Sequence, residues 1–170
     1  MVVDTIVIAV VNYGVGNLKS ICKAINFVGE KAKITNDPKE IRDADGIILP
    51  GVGAFKSAME NLKPYADLIV NADVPVLGIC LGMQLITRGS EEGTTPGLGW
   101  VEADTRRFRF DGGGDADDVK ERGLKIPHMG WNTIHPIRDD PLFAEMKDEA
   151  RFYFVHSYHL VCDSEQDVLA

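Results

Sequence analysis

The 170-residue sequence predicts an α/β fold: a mostly parallel open sheet flanked by helices, with an antiparallel extension. Three observations predict it. Over the first ninety residues, short apolar and β-branched runs alternate with segments of helical period, the pattern of parallel strands joined by right-handed crossover helices. Residues 98–110 then alternate in period two, which suits antiparallel strands. No internal repeat and no interdomain linker interrupts the chain, so residues 1–170 are expected to form one domain.

The elements follow in order. Residues 5–11 are a continuous β-branched and apolar run, expected as a strand buried on both faces. The turn Asn12-Tyr-Gly-Val-Gly16 follows, and Asn17 is placed to cap a helix whose apolar positions are Leu18, Ile21, Cys22, Ile25 and Val28. Gly29 is placed to end that helix. Residues 31–34 read as the second strand, and Asp37-Pro38 marks the next helix start. The third strand, 46–49, runs into Pro50-Gly-Val-Gly53. Residues 55–62 read as a helix that Pro64 interrupts. The fourth strand is 74–79, with a further helix beginning over 83–87. Residues 134–140 are turn-rich, and 151–156 and 159–162 read as strands.

Composition narrows the function. With 45% hydrophobic and 26% charged residues the chain is an ordinary globular one. Its net charge of −8 repels phosphate backbones, so nucleic acid is not an expected partner. The longest apolar run, 6–11, is far too short to span a bilayer, and Asp4 interrupts any leader-like start. Cys22, Cys80 and Cys162 are an odd set without metal-ligand spacing, so no metal, no cofactor and a reducing, cytoplasmic compartment are expected. Gly14 and Gly16 are not a dinucleotide fingerprint, because Lys19 stands where the third glycine is needed. The Gly- and Asp-rich residues 111–118 are expected as a surface loop; their carboxylates lack calcium-loop spacing.

The most informative segment is Val74-Pro-Val-Leu-Gly-Ile-Cys-Leu-Gly-Met-Gln84. A buried strand ends at Cys80 and a helix starts directly after it, with Gly78 and Gly82 two residues to either side. This is the cysteine form of the strand–elbow–helix turn. Such a turn exposes the side chain at the carboxyl edge of the sheet and crowds the backbone, so small residues are needed at −2 and +2. The helix N-terminus favours the thiolate. The Leu81 N–H is aimed at an oxyanion formed on an acyl group that Cys80 attacks, and the glycine-rich loop Leu49-Pro-Gly-Val-Gly-Ala-Phe55, which leaves the neighbouring strand, is a candidate source of a second donor. Cys22 and Cys162 are expected to be core residues.

These residues resemble the class I, triad-type glutamine amidotransferases. The elbow Gly78-Ile-Cys-Leu-Gly-Met-Gln84 carries that resemblance. Asn12-Tyr-Gly-Val-Gly-Asn17, Pro50-Gly-Val-Gly-Ala-Phe55, Pro127-His-Met-Gly-Trp-Asn132 and Tyr153-Phe-Val-His-Ser-Tyr158 narrow it to the glutaminase-subunit family of imidazole glycerol phosphate synthases. The resemblance implies a flavodoxin-like sheet and a place in histidine biosynthesis. It also implies attack by Cys80 on the glutamine side-chain amide, a glutamyl thioester, and ammonia passed to a (β/α)8-barrel cyclase in a heterodimer. Cyclase and ammonia together yield imidazole glycerol phosphate and AICAR.

The same resemblance implies the site. The Leu81 N–H and a backbone N–H of the Val52-Gly53 segment match the oxyanion hole, and in the family the Val52-Gly53 loop reorients before the hole is complete. Gln84 matches a position that holds the substrate glutamine. Ser157 and Tyr158 match positions whose backbone binds its α-amino and α-carboxyl ends. Trp131, Asn132 and Tyr153 match the cyclase-facing surface, with Asn12 near it. The family's base and orienting carboxylate lie in a later His-x-Glu segment, and no His-x-Glu occurs in this sequence. The expectation is therefore a domain without its C-terminal segment, inactive by itself in turnover. His156 matches the family's Val-His-Ser-Tyr histidine and is not assigned as base. Alternatives are a module that binds glutamine or the cyclase without turnover, and another elbow-cysteine hydrolase.

Overall fold

The computed structural model describes residues 6–109, 125–146 and 150–170. Thr5, Phe110 and the expected loop at 111–118 lie outside them. The parallel core contains β1 (Val7–Val11), α1 (Leu18–Phe27), β2 (Lys31–Thr35), α2 (Pro38–Arg42), β3 (Gly46–Leu49), α3 (Phe55–Leu62), α4 (Ala66–Val70), β4 (Val76–Gly78) and α5 (Leu81–Leu85). Its sheet runs β2-β1-β3-β4, and all three pairings are parallel. The order follows from chain logic: each helix returns the chain to the same sheet edge, so every carboxyl end and every following turn lies on one side.

The two sheet faces bury different apolar sets. Val11, Ile47 and Leu49 pack with Phe55, Ala58, Leu62, Ile69, Leu81 and Leu85 from the helices on one face. Val10 and Ile48 pack with Ile25, Leu18, Ile21 and Cys22 of α1 on the other. Val10, Val11 and Leu49 are fully buried, as a strand covered on both faces requires. Burying each such side chain contributes roughly 1.5–3 kcal/mol before entropy is counted.

The remaining strands are β5 (Gly89–Ser90), β6 (Ala103–Arg107), β7 (His128–Thr133), β8 (Arg151–His156) and β9 (Tyr158–Cys162). They form a three-stranded sheet, β5-β6-β9, and a two-stranded ribbon, β7-β8. The β6–β9 and β7–β8 pairs are antiparallel, which is the expected extension.

Several boundaries differ from expectation. Asn17 does not cap α1 with its side chain; its carbonyl accepts from Ile21 N–H at 3.3 Å instead. Asn12 makes the local side-chain bond, accepting from Gly14 N–H at 3.3 Å. Only 103–107 of the alternating stretch 98–110 is strand. Trp100 and Val101 N–H groups donate to the Ile86 carbonyl, so the chain first runs beside the end of α5. The fifth helix, read from its apolar residues as beginning over 83–87, starts at Leu81, directly after Cys80 as the elbow pattern predicts. Residues 128–133 form a strand that their mixed composition hid. By contrast, Gly29 takes φ +95° after α1, and Asp37 caps α2 by accepting from Lys39 N–H at 2.8 Å.

Arg88 links the second sheet. Its Nε donates to Asp104 at 3.1 Å and its Nη2 to Asp163 at 2.8 Å. The guanidinium holds both carboxyls below the usual range, chiefly through these hydrogen bonds. A carboxyl so depressed stabilises the fold above its ordinary pKa, and that contribution is lost as pH falls through the folded value. Arg88→Met is therefore expected to lower the thermal midpoint at pH 7, and the gap from wild type should narrow as pH falls below the ordinary carboxyl range. Solvent exposure keeps the effect small.

Candidate active site

The elbow is built by strain that its neighbours hold in place. Cys80 sits at φ 54°, ψ −114°, the one non-glycine residue with positive φ among those described. Such a conformation costs about 1–3 kcal/mol and persists only where surrounding packing imposes it. That packing is visible. A Cβ on Gly82 would lie 1.9 Å from the Leu49 carbonyl oxygen, and one on Gly78 would lie 2.6 Å from Met83 Cα. The glycines at −2 and +2 are thus required by contact between β3, β4 and α5. The Cys80 carbonyl accepts from Met83 N–H at 3.0 Å and Gln84 N–H at 3.2 Å, which starts the helix. Leu81 is 2% exposed and anchors α5 in the core, while Cys80 is exposed.

The other two cysteines behave differently. Both are half-buried, and burial pushes each thiol up; around Cys162 the Asp167 and Asp163 charges add to this. Of the three, Cys80 alone combines exposure with an elbow backbone.

The loop after β3 lies against the elbow. A Cβ on Gly51 would meet Gly82 N at 2.6 Å and Leu81 Cβ at 2.7 Å. Beyond it the loop opens: Gly53 takes φ +99° with nothing within 4 Å of a Cβ position, and Val52 is 56% exposed. The N–H groups of Val52, Gly53 and Leu81 donate to no protein acceptor among the described residues. Glu92, which sequence inspection passed over, accepts from Phe55 N–H at 3.2 Å and so stands where this loop enters α3. No periodicity marks it, because its role depends on a contact 37 residues away.

Gln84 is only 9% exposed, and its Oε1 is buried without a partner. An orphaned buried acceptor needs an explanation, and it excludes an ordinary exposed helix position. Ser157 bridges β8 and β9, and its carbonyl accepts from Phe108 N–H at 2.9 Å. His156 Nδ1 lies 2.8 Å from the Tyr158 carbonyl oxygen, and its Nε2 lies 3.0 Å from His128 Nδ1. A carbonyl only accepts, so His156 Nδ1 is the donor to the Tyr158 carbonyl. Among the described residues no histidine bonds to Cys80.

The β7–β8 ribbon presents an apolar face. Trp131 opposes Tyr153 and Met129 opposes Val155, and these residues are 63, 55, 60 and 56% exposed, respectively. The Trp131 and Tyr153 rings meet edge to face at 5.6 Å. Strand alternation sets Asn132 on the opposite side of the ribbon, across from Phe152, so the expected grouping of Trp131, Asn132 and Tyr153 on one face is divided. Asn12 is half-buried in the turn after β1, its N–H donating to the Thr35 carbonyl at 2.8 Å.

The class-I glutamine amidotransferase family model matches residues 9–170. Imidazole glycerol phosphate synthase subunit HisH of Archaeoglobus fulgidus is 46% identical over 159 residues, 93% of this chain and 75% of the relative. The protein of the same description from Leptospira interrogans is 37% identical over 169 residues, 96% of this chain and 79% of the relative. Among solved structures, a protein from Thermoplasma acidophilum described as a GMP synthase component superposes with a TM-score of 0.64 at 19% identity, over 92% of this chain and 67% of that one. At that identity the likeness concerns the fold alone.

Proposed function

The chain belongs to the class-I glutamine amidotransferase family, and on that footing we propose that it is the glutaminase subunit of imidazole glycerol phosphate synthase in histidine biosynthesis. The observation that carries the chemistry is the exposed Cys80 held at positive φ between β4 and α5, with the Val52-Gly53 loop beside it. The Cys80 thiolate attacks the side-chain carbonyl carbon of glutamine. The carbonyl oxygen becomes an oxyanion that the N–H groups of Leu81 and the Val52-Gly53 segment are suited to receive. Collapse breaks the C–N bond, and the leaving nitrogen takes a proton and departs as ammonia. Water then releases glutamate from the thioester and restores the thiol. The unpartnered Gln84 Oε1 supports a role as acceptor for the substrate's amino group. The backbone around Ser157 and Tyr158 is the proposed cradle for the ends of glutamine.

The exposed ribbon face around Trp131 and Tyr153 supports docking of a (β/α)8-barrel cyclase, which takes the ammonia. Aromatic residues exposed in a contiguous patch are favoured as interface anchors. The double variant Trp131→Ala, Tyr153→Ala is expected to weaken cyclase binding at least tenfold in a titration, about 1.4 kcal/mol or more. Asn132→Ala, on the other side of the ribbon, is expected to weaken it less. Unchanged affinity in the double variant would favour another elbow-cysteine hydrolase.

A second reading is binding of glutamine or the cyclase without turnover. Glutamate release by this chain with the cyclase present decides between them. Sustained release rejects the binding-only reading.

A further inference from the structure

The strand-to-helix turns after β1, β3 and β4, which are neighbours across the sheet, meet around Pro50. Tyr13, in the turn after β1, is 4% exposed, and its hydroxyl donates to the Pro50 carbonyl oxygen. The same turn presses on the proline ring: a Cβ on Gly16 would lie 2.8 Å from Pro50 Cβ. On the far side, Gly51 is packed against Leu81 and Gly82 of the elbow. Pro50-Gly51 is therefore clamped between the first turn and the nucleophile helix, while Val52 and Gly53 beyond it are open. The Pro50 carbonyl plane sets where that open tip begins. Burial raises the Tyr13 phenol well above its ordinary range, so it is a neutral donor at any working pH.

We propose that Tyr13 is a positioning residue for catalysis, its hydroxyl orienting the Val52-Gly53 oxyanion loop through the Pro50 carbonyl. This rests on the glutaminase reading above. Tyr13 touches neither glutamine nor Cys80 in this role. A misplaced donor costs rate steeply, because oxyanion stabilisation depends on fixed geometry.

The test compares two reagents on Cys80. A chloromethyl ketone with the glutamine skeleton presents a carbonyl whose attack builds an oxyanion before chloride leaves. Iodoacetamide reacts by displacement at a saturated carbon and builds none. Tyr13→Phe is expected to slow ketone capture about tenfold or more, while iodoacetamide capture stays within about twofold. Gly16→Ala, which pushes on Pro50 without touching the hydroxyl, should show the same selective loss. It also carries the test if Tyr13→Phe loses its thermal transition. Equal loss with both reagents, or none with either, overturns the positioning role. A wild-type chain that reacts equally with the glutamine ketone and its alanine counterpart overturns the glutaminase reading, and this inference with it.

Discussion

Replacing Cys80 with alanine is expected to abolish covalent capture of the glutamine chloromethyl ketone, a fall on the order of 10³-fold or more. Intact-mass analysis should find one adduct per wild-type chain, on Cys80, and none in the variant. Cys22 and Cys162 should stay unlabelled on that timescale, because burial disfavours both thiolates. In a complex with the proposed cyclase partner, ring formation driven by glutamine is expected to be lost with the thiol. Ring formation from free ammonia should persist, since ammonia enters after the Cys80 step. Full glutamine-driven turnover in Cys80→Ala would sink the assignment. The backbone makes a paired prediction: Cys80→Gly should be about 1 kcal/mol more stable than Cys80→Ala, because only glycine accepts positive φ without strain.

The second large effect concerns Gly82. Its Cβ position lies 1.9 Å from the Leu49 carbonyl oxygen, on the fully buried end of β3. Neither partner is the far end of a flexible side chain, so Gly82→Ala must part α5 from β3. The expected cost is about 3 kcal/mol or more, read from denaturation midpoints. Ketone capture should fall further than iodoacetamide capture, because Leu81 N–H and Cys80 move with the helix. Gly93→Ala serves as the control: nothing lies within 4 Å of its Cβ position, and the change should stay within about 0.5 kcal/mol. Equal midpoints for the two variants would show that the glycine at +2 is not required by packing.

Much of the parallel core was legible because its signals are local. β3 and α3 fall on the expected residues, since an apolar run bounded by Gly46 and Pro50 and a helix-period segment ending near Pro64 leave little choice. The elbow was legible for the same reason: Gly78, Cys80 and Gly82 sit within five residues. β7 was not legible. Its His-Met-Gly-Trp-Asn-Thr composition carries no strand pattern and becomes a strand by pairing with β8, some twenty residues later. Asn17 looked like a cap, but a cap forms only if the backbone turns the side chain toward the helix, and here φ −91°, ψ 66° does not.

The sequence by itself determined the fold class, the elbow around Cys80 and the family, because each rests on motifs that are local in the chain. Tertiary structure alone decided three other things. It gave Cys80 its positive φ, which contacts of Gly78 and Gly82 with neighbouring elements enforce. It divided Trp131 and Asn132 between the two faces of a ribbon, since alternation matters only once a strand has formed. It brought Tyr13 to Pro50 and Glu92 to Phe55, each across 37 residues, and set both at the loop between β3 and α3. Short-range patterns of polarity and glycine spacing report what the backbone can do locally. Contacts across 37 residues appear only when the sheet has placed its strands side by side.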